Sequence, residues 1–279
     1  MELAGGIKSG ASESAGVYLG KAICGGFDGA VDVDEYRKLA EVEDGMWYFK
    51  ALHAHVEREL AAALGARPAR ILDAGCGTGG LIRRLSPRHR AWSWVGVDSE
   101  PAACALARVR TTEAAAEIRQ ARVEALPWGD EAFDAVVSAD VLYHVDDDDA
   151  ALRDFFRVLR PGGAVVINVP AYRWLWSYHD EATQARRRYG RDEVKEKLRA
   201  TGFGDVRTTH WNTLPLPLIV VRRKLLPAPR GGSDVRAYAA PVERVLSAAM
   251  ALEAAWLGRG GRLPVGSSIL AVARKPLPV

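Results

Sequence analysis

Closely spaced glycines mark Ile71-Leu72-Asp73-Ala74-Gly75-Cys76-Gly77-Thr78-Gly79-Gly80, behind a short apolar stretch and ahead of a helix-like one. A glycine turn between strand and helix lets the backbone approach a ligand and aims helix N-terminal amides at it. Gly75, Gly77 and Gly80 satisfy the dinucleotide fingerprint, and Asp98 stands near the distance at which an acid grips a ribose. Asp73 argues the other way. A carboxylate just ahead of the first glycine repels a pyrophosphate but attracts an ammonium, such as that of a methionine moiety.

Further along are groups able to move a proton or hold an anion. His144, and the pair His179 and Asp180, each follow a predicted strand, where pockets in open α/β sheets form. Each could act as a base on a bound substrate, or could orient or tie down its loop. An adjacent acid raises histidine basicity where geometry brings the two together. Arg186-Arg187-Arg188-Tyr189 could clamp a carboxylate or phosphoryl group with planar donors, or form a solvated helix face. Asp146 to Asp149 precedes a predicted helix, where acids cap free amides, so no catalytic metal is expected there.

Elements that position these residues follow from periodicity. Asp32 to Leu64 reads as helical, with an aromatic cluster Trp47-Tyr48-Phe49 inside it. From Ala69 short apolar runs alternate with helix-like segments, the signature of a parallel α/β sheet. Strands are predicted at Arg70–Asp73, Ser93–Asp98, Glu117–Val123, Phe133–Ser138, Gly163–Val169, Gly204–Trp211 and Ser268–Arg274. Helices are predicted at Gly79–Leu85, Glu100–Thr111, Ala150–Leu159 and Arg191–Thr201, the third stopped by Arg160-Pro161-Gly162-Gly163. Thr213 to Pro264 is long for a connection and must carry structure, with a helix expected over Pro241–Leu257 and a linker over Pro227–Ser233. Its apolar run Leu214–Val221 is too short to span a bilayer, which needs about 20 residues. It is expected to line a pocket or core, the other reading being contact with a membrane surface.

The fold class that emerges is α/β: a doubly wound, mostly parallel seven-stranded sheet, with an N-terminal helical lid and a helical cap inserted before the last strand. Its expected divisions are a flexible tail (1–30), a lid (31–66), the core (67–212), the cap (213–264) and a last strand (265–279). A chain of 279 residues buries a full core and still carries such additions. The net charge of +3 comes from nearly balanced acids and bases, which gives little footing for nucleic acid. Cys24, Cys76 and Cys104 are too scattered for a disulfide framework or a zinc site, which favours a cytoplasmic setting. Residues 1–30 lack the basic and apolar regions of a signal peptide.

Taken in order, four motifs resemble the class I, Rossmann-like, S-adenosylmethionine-dependent methyltransferases. They are Leu72-Asp73-Ala74-Gly75-Cys76-Gly77-Thr78-Gly79; Val95-Gly96-Val97-Asp98; Val123-Glu124-Ala125-Leu126-Pro127-Trp128 with Phe133-Asp134-Ala135-Val136-Val137; and Val158-Leu159-Arg160-Pro161-Gly162-Gly163. The resemblance covers Ala69 to about Val169. It implies that Asp73 and the backbone of Gly75 and Gly77 hold the methionine part of the cofactor, Asp98 the ribose, and Val123 with Glu124 the adenine edge, with Ser99 also at the cofactor. Ala139 is placed beside the cofactor. Many relatives carry an acid where this chain has Arg122, so adenine recognition there rests on backbone groups.

Glu43-Asp44-Gly45-Met46-Trp47-Tyr48-Phe49-Lys50 is similar to a segment that closes over the cofactor in a subset of these enzymes, which implicates Trp47 and Lys50. Trp47 could face the sulfonium or simply pack a helix pair. The span Pro170 to Tyr189 resembles the acceptor side of natural-product methyltransferases, which implicates Tyr172, Trp176, Arg187, Arg188 and Tyr189, with Tyr143 nearby. The activity implied is methyl transfer to oxygen, carbon or nitrogen of a small, hydrophobic or bulky acceptor, leaving S-adenosylhomocysteine. Alternatives are C-methylation of a phosphorylated acceptor such as an isoprenyl diphosphate, a cofactor-binding cyclase that transfers no methyl group, and a nicotinamide-dependent dehydrogenase.

Overall fold

The computed structural model describes residues 33–228 and 233–278, so the tail expected over 1–30 and most of the linker expected over Pro227–Ser233 lie outside the described residues. Seven strands form one sheet: β1 (Ala69–Ala74), β2 (Trp92–Asp98), β3 (Glu117–Gln120), β4 (Phe133–Ala139), β5 (Leu159–Pro170), β6 (Gly204–Trp211) and β7 (Ser268–Arg274). Their spatial order is β3-β2-β1-β4-β5-β7-β6. The first five pair in parallel, whereas β7 runs antiparallel to both β5 and β6, so the sheet is mixed. Two strands differ from the sequence expectation by more than one residue. β3 ends at Gln120, three residues short of Val123, and β5 begins at Leu159, four residues ahead of the expected Gly163, so that Pro161-Gly162 lies within the strand besides stopping the helix.

Helices cover both faces. α1 (Val33–Val42) and α2 (Trp47–Leu64) precede the sheet. α3 (Gly80–Leu85), α4 (Pro101–Arg110) and α5 (Asp148–Val158) follow the first, second and fourth strands. After β5 come the short α6 (Tyr178–Ala182) and then α7 (Arg191–Thr201). Between β6 and β7 lie α8 (Leu216–Val220), a wider helical turn over Val221–Leu225, and α9 (Ala240–Gly258). Alternation along each strand sends neighbours to opposite faces. Ile71, Val137 and Val166 join Leu52, Val56 and Leu60 of α2 on one side, while Leu72, Val136 and Ile167 join Phe155 and Leu198 on the other.

The reversed β7 fixes where the insertion must sit. Ser268 pairs with Trp211 at the end of β6 and with Pro170 at the end of β5. The chain therefore leaves the sheet after Trp211 and re-enters at Ser268, both at the carboxyl end of the parallel strands, where ligand crevices of such sheets open. α9 packs against α2, and the Trp47 backbone amide donates to Glu243 Oε2 at 2.9 Å. Most of the apolar run 214–221 does not become core: Leu214, Pro217, Leu218 and Val221 are exposed, Leu216, Ile219 and Val220 are half-buried, and only Pro215 is buried.

Candidate active site

β1 runs into the glycine loop, whose Gly75 (φ +85°) and Gly77 (φ +51°) adopt left-handed backbone. At Gly75 a side chain is excluded twice over: the φ disfavours it, and a Cβ there would lie 2.2 Å from Val141 Cγ2. The segment after β4 is thus pressed onto the loop after β1. Gly80 is held bare by Glu43, whose carboxyl group would meet a Cβ at 2.0 Å. Glu43 is buried there, accepting from Thr78 Oγ1 at 2.6 Å and from Arg110 at 2.7 Å.

Three carboxyl groups converge at this end of the sheet. Asp98 accepts from the Gly77 amide at 2.9 Å and the Glu100 amide at 3.0 Å, which fixes its orientation, and Gln120 ties the Ser99 carbonyl at 3.0 Å. Asp73 is only 2 % exposed, and its carboxyl group has no hydrogen-bond partner among the described residues. Burial, then the charges of Glu43 and Asp98, push its pKa up to about 8. Arg110 offsets Glu43, but no cation stands beside Asp73 among the described residues, and a pyrophosphate would add further negative charge there. An ammonium beside Asp73 fits; a dinucleotide does not.

Tyr36 of α1 lies close enough to Asp98 and Glu100 for burial and their charge to push its hydroxyl pKa up, an approach with no signal in the residue pattern. Val123 is buried in the turn after β3 and Glu124 is ion-paired with Arg122 at 2.7 Å. Ala139 closes β4 opposite Asn168. Trp47 is buried edge-on to Tyr48, its indole N–H without a partner among the described residues. Lys50 stands one turn further along α2 with no ion pair among the described residues.

Beyond the glycine loop lies a polar network. Asp140, the residue after β4, holds a left-handed φ of +59° and donates its amide to the Asn168 carbonyl at 3.0 Å. Its carboxylate accepts from Tyr48 Oη at 2.9 Å and from Asn168 Nδ2 at 2.7 Å. Asn168 Oδ1 in turn accepts from the Trp211 indole at 2.7 Å, and Trp211 stacks on Tyr48 with centroids 5.2 Å apart. Desolvation raises the Asp140 pKa to about 6, its two side-chain donors limiting the rise. Asp140, Tyr48 and Tyr143 are deep in the protein yet each keeps some accessible surface, as residues lining a cleft do.

The residues expected to meet a substrate divide. Tyr143 lies beside His144, ring centroids 3.9 Å apart, and Asp140 is among the charges that push its hydroxyl pKa up after burial. Tyr172 stacks between Trp174 and His210. Half-buried Trp176 accepts from Lys224 Nζ through its carbonyl at 2.7 Å. The arginines are already engaged. Arg186 donates to the His144 carbonyl, Arg187 pairs with buried Asp148 at 2.9 Å, and Arg188 grips Asp180 at 2.6 and 3.1 Å. Tyr189 Oη also donates to Asp148, at 2.8 Å. The run of aspartates ends as a helix cap, Asp147 accepting from the Ala150 amide at 2.8 Å. Asp180 additionally closes a capping box with Ser177.

His179 Nδ1 accepts the Asp234 amide at 3.2 Å. Burial lowers the pKa of His179 to about 3 and that of His144 to about 4. Asp234 itself accepts from Tyr178 Oη at 2.8 Å and Arg223 Nε at 2.9 Å, so one residue of the insertion latches it to the loop after β5. Tyr48, Asp140, Asn168 and Asp234 were not singled out from sequence. For Asp140 and Asn168 the signal available was a polar residue closing or interrupting an apolar strand run; Asp234, among glycine, serine and arginine, carried none.

Residues 72–167 match the family model described as a methyltransferase domain. Among curated proteins the chain is similar to malonyl-[acyl-carrier protein] O-methyltransferase of Enterobacter lignolyticus, 33% identical over 52% of this chain and 61% of that one. It is also similar to demethylmenaquinone methyltransferase of Thermus thermophilus, 39% identical over 39% of this chain and 51% of that one. The chain spans between half and three fifths of the length of these relatives. Phosphoethanolamine N-methyltransferase 2 of Haemonchus contortus, solved with S-adenosyl-L-methionine, superposes with a TM-score of 0.53 at 18% identity, over 89% of this chain and 61% of that one. The [4+2]-cyclase SpnF superposes at 0.55 with 20% identity, over 81% of each chain; likenesses this distant carry the fold alone. Together with the motifs, these define residues 72–167 as a methyltransferase domain of the Rossmann-like, S-adenosylmethionine-dependent class.

Proposed function

We propose that the chain transfers the methyl group of S-adenosylmethionine to a small, hydrophobic or bulky acceptor, with Asp140 taking the acceptor's proton. The bound cofactor would supply an electrophilic methyl group. Asp73 and the backbone of Gly75 and Gly77 would hold its methionine end, and Asp98 its ribose. The observation that carries the reading is Asp140 itself: a carboxylate held by Tyr48 and Asn168 beside the loop after β1, with its pKa raised to about 6. A base works best with a pKa near the operating pH, and both histidines named from sequence are much weaker bases at about 4 and 3. His179 then orients the insertion through Asp234, and Asp180 positions Arg188.

Relatives are named for acceptors that range from a carrier-bound malonyl group to a quinone and a sterol, and the last two are largely apolar. Aromatic surfaces at Tyr48, Tyr143 and Trp47 suit such acceptors. A diphosphate acceptor has less support, because Arg186, Arg187 and Arg188 all bond to groups of this chain. Methyl-labelled S-adenosylmethionine incubated with a panel of quinols, phenols and sterols tests the reading. Label should enter an acceptor, at a rate that rises as pH passes upward through about 6. An acceptor rearranged while every label stays on the cofactor would instead favour a cyclase.

A further inference from the structure

Of the thirteen large apolar side chains that are exposed among the described residues, ten lie between Leu214 and Val265, less than a fifth of the chain. They are ordered. Leu218, Val221 and Leu225 recur in steps of three and four along α8 and the helical turn after it, as one helix face does, and Leu214 stands four residues ahead of them in the turn before α8. Val245, Leu252 and Trp256, exposed by 68%, 67% and 56%, make a second such stripe on α9. Both helices belong to the segment that leaves and re-enters the sheet at the pocket end. An ordered apolar surface of this kind marks a place where something binds.

The charge pattern says what. Residues 213–265 hold eight arginines and lysines against three acids, a balance of +5 in a chain whose total is +3. All three acids are turned to internal partners: Asp234 to Arg223 and Tyr178, Glu243 to the Trp47 amide, and buried Glu253 to the Leu214 amide. The exposed side chains of α8, of the turn after it and of α9 are consequently apolar or cationic, Lys224 and Arg244 being among them, and exposed Arg259 directly follows α9. A second copy of the same face would bring cation against cation. A hydrogen-bonding protein partner would find no neutral polar side chain among the exposed ones of these helices. Apolar residues flanked by cations, with a tryptophan among them, are what an interfacial helix presents to anionic lipid.

We propose that α8, the turn after it and α9 dock the chain on the surface of an anionic phospholipid bilayer, which would set the mouth of the cleft against the lipid. The docking does not depend on which acceptor is methylated. The test is flotation of the full chain with vesicles of phosphatidylcholine containing phosphatidylglycerol, against phosphatidylcholine alone. Binding is expected to the anionic vesicles and to weaken with salt. Lys224→Glu combined with Arg259→Glu should weaken it by at least about tenfold, and Leu218→Glu combined with Leu252→Glu should abolish it. S-adenosylmethionine affinity, unchanged in each variant, reports that the fold is intact. Flotation with neither vesicle, or flotation indifferent to both double variants, would overturn the proposal. So would sedimentation showing a dimer that the double leucine variant dissociates, since the stripes would then join two copies.

Discussion

Asp73 and Asp140 occupy matching places, one at the end of β1 and one just past the end of β4, and both are desolvated acids with raised pKa values. They differ in company. Asp140 has two side-chain donors within 2.9 Å, so its ionised form is supported before anything binds. Asp73 has none among the described residues, and its ionised form needs a ligand cation. Asp140→Asn should therefore lower kcat/KM by roughly a hundredfold or more, the size of a general-base contribution, and erase the rise in rate near pH 6, with cofactor affinity unchanged in calorimetry. A variant that lost cofactor affinity and rate together would show Asp140 to be part of the cofactor cradle instead. Asp73→Ala should weaken S-adenosylmethionine binding by about 1.5–3 kcal/mol, the range for a hydrogen bond to a charged group; an unchanged dissociation constant would remove Asp73 from the cradle.

Elements were legible in the sequence where one physical signal dominated. Arg191–Thr201 and Gly204–Trp211 have the bounds that periodicity and the glycine stops predicted, because Gly190 and Gly202 bracket a single amphipathic helix. The glycine loop was legible because Gly75 cannot carry a side chain against Val141. Strand direction was less so. An apolar run such as Ser268–Arg274 reads the same in either direction, and only its pairing with both β5 and β6 reverses it. The Tyr48–Asp140–Asn168 network stayed hidden because its members lie on α2, after β4 and in β5, brought together only by the sheet. The same holds for the latch at Asp234, which joins Tyr178 to Arg223 across more than forty residues of sequence. Asp234→Ala should leave cofactor affinity intact while raising acceptor KM a few-fold and speeding amide exchange over 214–228 and 176–183. Exchange unchanged in those segments would show that other contacts hold the insertion in place.

At the scale of the whole molecule, the acidic cluster sets fold stability against cofactor binding. In the unfolded chain Asp73 releases its proton near the ordinary value of 3.8, whereas in the folded, cofactor-free chain it keeps it to about 8. Between those values the folded state binds more protons, so this contribution to stability is complete below pH 4 and is lost as pH rises toward 8. Asp140 adds the same sign of slope up to about 6. Asp134, its pKa lowered by the Arg70 amide, Arg160 and Arg67 despite burial, acts in the opposite sense, and its window lies below pH 4. Buried His53, His55, His144 and His179, their pKa values lowered to between about 3 and 4, raise stability with pH up to the ordinary histidine value of 6.5, so the slope set by Asp73 stands alone above it and urea midpoints of the cofactor-free chain should fall from pH 7 to pH 8. Asp73→Asn should flatten most of that fall and stabilise the fold at pH 7 by roughly 2–4 kcal/mol, the same group being needed for binding. Because an ammonium beside Asp73 favours its ionised form, S-adenosylmethionine binding at pH 7 should release protons. Calorimetry in buffers of different ionisation enthalpy would register this as a buffer-dependent heat, absent in Asp73→Asn. A heat independent of buffer in the unaltered chain would mean that Asp73 is already ionised before the cofactor arrives.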